Sequence, residues 1–344
     1  MDPSQSSSLS TSPSSELRPM TRSRKDSDVS DDTNVQATND DASESKYSAV
    51  TLGYWNDPYI TYFVRRAERK SPEIHRGYFA RVKAVRMIVD NFLELFENKS
   101  TQIINLGCGF DTLFWQLRNA NDPRLPNLFV DVDFSTVTAK KIHHILKPSS
   151  PLRKSIVDES DKVREIGHKC LYGLIYRLVG ADIRNVGELN RQLIEAGVDF
   201  ERPTLFIAEC VLVYMTPDQG NDLIKYAADR FSRSYFLNYD PVNMKDKFGD
   251  IFKENMYTRG LLLAGVDACG SLDDQGQRFR SNGWCEAQVW TLRDVYSKFL
   301  PREDIMRIEH IEPLDEKELL DQLLDHYSIA IARRDSSLPL VQFP

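Results

Sequence analysis

Residues 101–111 read Thr-Gln-Ile-Ile-Asn-Leu-Gly-Cys-Gly-Phe-Asp, an apolar run (Ile103, Ile104, Leu106) that stops at two glycines one residue apart. The residues that follow predict a short helix over Thr112–Leu117. Strand, Gly-x-Gly turn and helix together open the nucleotide pocket of an α/β sheet. Without a Cβ, Gly107 and Gly109 let the backbone turn sharply and approach a ligand closely. The full dinucleotide signature needs a third glycine at position 112, where this chain has Thr112. That weakens the case for a pyrophosphate on the helix N-terminus, and with it for a dehydrogenase. It leaves room for a ligand that carries a nucleoside but no phosphate, of which S-adenosylmethionine is the commonest. Taken alone, the turn is equally consistent with an ordinary tight turn.

Working toward the C-terminus, Asn127–Phe134 (Asn-Leu-Phe-Val-Asp-Val-Asp-Phe) reads as a second buried strand that ends in acids. Asp133 lies 26 residues after Gly107, where an acid accepts hydrogen bonds from ribose hydroxyls. Asp131 shares its face by period-two alternation and is the rival candidate. Ser135–Leu146 is a helix candidate, and the polar stretch Lys147–Lys169 reads as a long surface loop or short insertion. Leu174–Gly180 reads as strand three. Asp182, just past it, suits the adenine amino group, or alternatively caps the helix Val186–Ala196. Thr204–Tyr214 is the most apolar strand, interrupted by Glu209. A carboxylate there is costly unless it is paired or faces a ligand, which favours a site role. Thr216-Pro217-Asp218-Gln219 starts the next helix, and Ser234–Tyr239 reads as strand five. Residues 240–300 fit helices and a lid-like insertion. Val289–Thr291, a helix Asp315–His326 and Tyr327–Ala332 close the pattern.

Working toward the N-terminus, a helix is expected at Tyr59–Arg69. A longer one is carried by Tyr78, Val82, Val85, Val89, Phe92 and Phe96. Arg76 and Arg81 sit at its start, where cations oppose the helix dipole, so they call for an anion partner or for nearby acids such as Glu73. Residues 1–45 hold 13 serines, two acidic clusters and little apolar bulk, the composition of a disordered tail. Residues 46–335 then form the folded domain, with 46–100 as an N-terminal helical cap.

The totals exclude several classes. Lys and Arg number 44 against 51 Asp and Glu, a net charge of −7, which argues against a general grip on nucleic acid. The five cysteines are scattered with no Cys-x-x-Cys pair, so neither a disulfide framework nor a metal site is indicated. No run approaches the ~18 apolar residues of a membrane span, and no apolar signal segment opens the chain. A cytoplasmic monomer is expected, with the nucleus a further location.

The ordered motifs then resemble a known family. They are Gly-Tyr-Trp-x-Asp-Pro-Tyr at Gly53–Tyr59, Arg-Gly-Tyr-Phe-Ala-Arg at Arg76–Arg81 and Asn-Leu-Gly-x-Gly-x-Asp-Thr at Asn105–Thr112. Val-Asp-Phe at Val132–Phe134, Gly-Ala-Asp at Gly180–Asp182 and Ile-Ala-Glu-Cys-Val-Leu-Val-Tyr-Met-Thr-Pro at Ile207–Pro217 follow. Asn238–Tyr239 and Ser281–Trp284 complete a set that is similar to the leucine carboxyl methyltransferases over about residues 46–330. The resemblance implies a class I S-adenosylmethionine-dependent methyltransferase fold, Rossmann-like, with helices on both faces of a mostly parallel sheet and a helical lid. It implies methyl esterification of the C-terminal leucine carboxylate of the protein phosphatase 2A catalytic subunit, which regulates holoenzyme assembly. It places Lys46 and Arg81 on the methionine part of S-adenosylmethionine, Gly107 in the cofactor loop and Asp133 on the ribose. Asp182 and Ile183 fall on the adenine, Glu209 on a further cofactor contact, and Tyr214 near the substrate carboxylate. The paralogue of tRNA wybutosine synthesis carries a long C-terminal repeat domain, for which this sequence is expected to be too short.

A terminal α-carboxylate, with a pKa of ~3.5, is ionised at neutral pH and needs no general base. Direct in-line transfer then depends on a dry pocket that aligns the groups, with Arg81 orienting carboxylates. The alternatives are a class I methyltransferase acting on a small-molecule carboxylate or hydroxyl, and a binding partner that kept the fold without turnover.

Overall fold

The computed structural model describes residues 24–96, 100–119, 124–157 and 162–344, with side chains from Asp32 onward. Among the described residues nine strands form one sheet: β1 (Gln102–Leu106), β2 (Leu128–Asp133), β3 (Arg164–Ile166), β4 (Cys170–Tyr172), β5 (Tyr176–Gly180), β6 (Thr204–Glu209), β7 (Ser234–Pro241), β8 (Glu286–Thr291) and β9 (Tyr327–Arg333). Their spatial order is β3-β4-β5-β2-β1-β6-β7-β9-β8. The five central strands run parallel, while β9 lies antiparallel between β7 and β8. The chain reverses its direction of winding between β1 and β6. In such a sheet the crevice for a ligand opens there, outside the carboxyl ends of the strands.

The helices are α1 (Arg24–Thr51), α2 (Pro72–Glu94), α3 (Leu113–Asn119), α4 (Ser135–Leu146), α5 (Leu152–Ile156), α6 (Val186–Glu195), α7 (Pro217–Arg230), α8 (Lys247–Thr258), α9 (Leu272–Ser281), α10 (Leu292–Lys298), α11 (Arg302–Ile311) and α12 (Glu318–Asp325). Alternation along the strands splits the core into two layers. Ile103, Phe129, Leu178 and Leu205 pack under α2, α3, α4 and α12. Ile104, Val130, Phe206 and Phe236 pack under α6, α7 and α9. Truncating a fully buried member such as Phe206 to alanine would cost about 3–5 kcal/mol.

Several sequence expectations need correction. Residues 24–45 are not a disordered tail but most of α1; residues 1–23 lie outside the described residues. The composition misleads because α1 is held by polar ties and buries serines (Ser43, Ser45, Ser48) more than apolar side chains. Tyr59–Arg69 holds only a single 3-10 turn, Ile60–Tyr62. There Asp57 accepts the Tyr59 and Ile60 N–H groups and fixes a turn. The long helix begins earlier than its apolar stripe, because Ser71 is its N-cap residue and Pro72 and Glu73 fill its first turn. The stretch Lys147–Lys169 carries α5 and the edge strand β3. Within 240–300, β8 joins the sheet from Glu286, ahead of the expected Val289. Asn185, not Asp182, caps α6 by accepting the Glu188 N–H. Thr216 and Gln219 form the capping box of α7.

Candidate active site

A cavity of about 800 Å³ lies over the carboxyl ends of β1, β2, β5 and β6. Lys46, Arg81, Gly107, Asp133, Asp182, Ile183, Glu209 and Tyr214 all line it, so the structure brings every predicted site residue to one place.

The floor is the loop after β1. Gly107 and Gly109 adopt φ of +63° and +47°, where L side chains are strained. A Cβ on Gly107 would meet Val211 Cγ2 at 2.6 Å, and one on Gly109 would strike Asn39 Oδ1. The Gly109 N–H donates to Asp133 Oδ2 at 2.7 Å, and the Phe110 N–H donates to Asn39 Oδ1 at 2.7 Å. The facing turn after β6 is fixed by Cys210, a non-glycine residue at φ +56° whose N–H donates to the Tyr239 carbonyl at 2.6 Å. That strained turn swings Val211 over Gly107 and leaves Glu209 on the cavity.

The two aspartates of β2 separate cleanly. Asp131 is buried away from the cavity, held by Lys141 Nζ at 2.7 Å, Tyr176 Oη at 2.6 Å and Asn105 Nδ2 at 3.1 Å. Asp133 lines the cavity, and burial pushes its carboxyl up to about 6 against the pull of the Gly109 and Phe134 N–H groups. A carboxylate kept this high is short of hydrogen-bond donors, which ribose hydroxyls would supply.

Lys46 and Arg81 line the same cavity, as do Arg184 and Arg259. Arg81 Nε meets Glu209 Oε2 at 2.5 Å, its second N–H reaches the Glu209 carbonyl at 3.3 Å, and its guanidinium stacks 4.8 Å from the Tyr239 ring centre. Neither Arg81 nor Arg76 uses Glu73: Arg76 donates to the Glu312 carbonyl at 2.6 Å. Lys46 Nζ pairs with Asp111 Oδ2 at 3.1 Å. Burial opposes the Lys46 charge, but Asp111 and Glu209 outweigh it and hold the ammonium above the usual lysine range. Burial keeps the Tyr214 hydroxyl far above its usual value, so it is a donor and not a base at neutral pH.

Asp182 is not free as its sequence position suggests. It pairs with Arg184, which also grips Asp32 of α1 at 2.7 Å and lies 5.3 Å from the Phe134 ring centre. The sequence reading missed Asn39, Asp32 and Arg184. The first two lie in what looks like a solvated acidic stretch, and only tertiary contact reveals them. Tyr78, Tyr239 and Tyr327 also line the cavity, with Tyr239 and Tyr327 stacked 5.2 Å apart, a wall that strand and helix patterns assign to the core.

Known proteins are similar to this chain in sequence and fold. A family model described as leucine carboxyl methyltransferase matches residues 34–228. Leucine carboxyl methyltransferase 1 of Bos taurus is 45% identical across 89% of this chain and 92% of its own. That of Caenorhabditis elegans is 42% identical across 90% and 94%. The human tRNA wybutosine-synthesizing protein 4 is 34% identical across 88% of this chain but only 44% of its own length. Among solved structures, a Thermobifida fusca YX protein with a methyltransferase assignment aligns at a TM-score of 0.50 and 14% identity, over 85% of this chain and 94% of its own. That likeness speaks for the fold.

Proposed function

Because the chain belongs to the leucine carboxyl methyltransferase family and has the fold of a class I S-adenosylmethionine-dependent methyltransferase, we propose that it esterifies the C-terminal leucine α-carboxylate of the protein phosphatase 2A catalytic subunit. In this reading the modification regulates assembly of the phosphatase. The carrying observation is the convergence of Gly107, Asp133, Asp182, Glu209, Lys46 and Arg81 on one cavity at the turning point of the sheet.

The residues present fit the methyl donor. The Cβ-less Gly107 gives it a close floor, and Asp133 has unmet demand for hydroxyl donors. Ile183 offers an apolar contact beside Asp182, and Lys46 and Arg81 are cations for a carboxylate. When bound, S-adenosylmethionine supplies an electrophilic methyl on a positively charged sulfur. The chain's own task is then to bring an already ionised carboxylate to it and keep water out. Among the described residues lining the cavity there is no histidine, and Tyr214 holds its proton. Arg81 cannot deprotonate in a protein, and Glu209 and the Tyr239 ring fix it in place, so it orients a carboxylate without acting as acid or base. Orientation and exclusion of solvent carry the rate, because the reacting charges are dispersed on the way to product.

The rim supports a protein acceptor over a small molecule. α8 turns Phe252 and Met256 into the cavity, while Ile251 and Tyr257 of the same helix and Leu262 beyond it are 57%, 74% and 54% exposed. Exposed apolar surface beside a pocket marks a docking face. The test is radiolabelled S-adenosylmethionine with the phosphatase catalytic subunit, with and without its last residue. Label is expected only on the intact chain and is released by mild base, as an ester is. Equal label on the truncated chain would refute the carboxylate assignment. Transfer to small carboxylates but not to the phosphatase would favour the small-molecule reading.

A further inference from the structure

Outside the cavity, Ser48 Oγ lies 2.9 Å from His75 Nε2, and His75 Nδ1 lies 2.7 Å from Glu312 Oε2. Hydroxyl, imidazole and carboxylate thus form a continuous chain, with all three residues under 5% exposed. The order is that of a hydrolase triad, but the surroundings are not. Ser48 does not line the cavity, and its oxygen accepts the Lys70 N–H at 3.2 Å. A nucleophile needs access to a substrate carbonyl and donors for the resulting oxyanion. The arrangement therefore holds parts together.

The parts it holds matter to the site. Ser48 is in the last turn of α1, His75 in the first turn of α2, and Glu312 follows α11. Glu312 also gathers Tyr54 at 2.9 Å, Arg69 at 2.5 Å and, through its carbonyl, Arg76 at 2.6 Å. α1 carries Lys46 and Asn39 to the cavity, and α2 carries Arg81. Lys46 is two residues from Ser48, nearly on the opposite face of the helix, so a roll or slide of α1 at Ser48 moves Lys46. Among its described residues α1 is also tied by Lys46 to Asp111, by Asn39 to the Phe110 N–H, and by the half-buried Tyr47 and Val50 against the core. Its buried residues are Ser43, Ser45, Ser48 and Ala49, which contribute little apolar area. Its pairs Asp32–Arg184 and Asp41–Arg259 are partly solvated, and such pairs stabilise little. The Ser48–His75 bond is the buried one, where a lost partner costs most.

We propose that His75 is a positioning residue for cofactor binding: its bond to Ser48, from a ring that Glu312 orients, seats α1 against α2 and thereby holds Lys46 and Asn39 at the glycine loop beside Arg81. With Nδ1–H donating to Glu312, Nε2 accepts the Ser48 hydroxyl, and both ring nitrogens have a partner. This role rests on the cofactor reading above.

The bonds can be cut on either side of the ring. His75→Asn places an amide near the Nδ1 position, keeping Glu312 and losing Ser48. His75→Gln places one near Nε2, keeping Ser48 and losing Glu312. Calorimetric binding of S-adenosylhomocysteine to the full chain, with the melting temperature of each unliganded variant, reads the outcome. Ser48→Ala and His75→Asn should each raise Kd about tenfold. The double variant should add little to Ser48→Ala, which already removes the bond that His75→Asn cuts together with that from the Lys70 N–H. His75→Gln should bind within about threefold of the parent, whatever its melting temperature. Turnover at saturating cofactor should stay within about twofold in all of them, because Arg81 and Glu209 are untouched. Unchanged Kd in Ser48→Ala and His75→Asn would overturn the proposal. So would Kd values that follow melting temperature and not the Ser48 contact. A parent chain that binds no S-adenosylhomocysteine would overturn the cofactor reading itself, and this role with it.

Discussion

Asp133→Asn separates two effects that act on one carboxylate. Asp133 takes two backbone N–H groups at 2.7 Å each, from Gly109 and Phe134. An amide of the same shape can accept one of them but turns its own NH₂ toward the other. That loss alone would destabilise the unliganded protein by about 1–3 kcal/mol. Against it stands the burial of the charge. The Asp133 carboxyl is raised from 3.8 to about 6, so at pH 8 its ionised form costs the folded state on the order of 3 kcal/mol, which the neutral amide avoids. The two nearly cancel, and the variant should melt within a few degrees of the parent. Ligand binding has no such compensation. A carboxylate can accept from two ribose hydroxyls where the amide oxygen serves one, so affinity for S-adenosylhomocysteine should fall by about 1–3 kcal/mol, roughly five- to 150-fold.

The pH dependence gives an independent check of sign. In the free protein Asp133 takes up a proton as pH falls through about 6. Donors on a bound ligand favour the carboxylate, so its pKa is lower in the complex, and binding must expel that proton at acid pH. Affinity of the parent should therefore drop from about pH 6 downward, by up to about tenfold per unit, while that of Asp133→Asn stays flat. Isothermal calorimetry between pH 5 and 8 measures both. Equal Kd for parent and variant at pH 8, or a parent Kd indifferent to pH, would refute the reasoning and take Asp133 out of the ribose role.

Arg81→Lys keeps a charge beside Glu209 but loses the flat stack on Tyr239 and the second N–H to the Glu209 carbonyl. Turnover should fall on the order of tenfold or more with the fold preserved, and near-normal kcat would exclude an orienting role. Gly107→Ala combines φ +63° with a Cβ 2.6 Å from Val211. It should destabilise by about 1–3 kcal/mol and weaken cofactor binding together; chemical denaturation alongside calorimetry checks it, and parent-like binding would show that the loop tolerates the shift. Asp240 is fully buried, and burial raises its carboxyl to about 7 although Arg278 pulls it down. A raised folded-state pKa gives stability that is full below the unfolded value near 3.8 and is lost as pH rises through about 7. Asp240→Asn should thus gain up to about 4 kcal/mol relative to the parent between pH 4 and 8, and melting curves with the same pH slope in both proteins would contradict it.

What could be read from residues alone follows from where the physics is local. The Gly-x-Gly turn, the acid at the end of the second strand and the carboxylate in the apolar 204–214 run are legible because each breaks a periodic pattern at a cost that only a site offsets. All three reached the cavity. Alternation alone left Asp131 and Asp133 equivalent, and what separates them is non-local. Lys141 and Tyr176 come from α4 and β5 to satisfy Asp131, leaving Asp133 to the cavity. The same holds for α1. Its serines and acids predict disorder because hydropathy measures apolar burial, while its order depends on polar partners far along the chain: Phe110 for Asn39, Arg184 for Asp32, His75 for Ser48. A helix held this way has little stability of its own, since few of its contacts survive if the partners move. The elements hardest to read from composition are therefore those whose placement most depends on the rest of the site. α1, which brings Lys46 to the glycine loop, is the segment whose order should respond most to a ligand there.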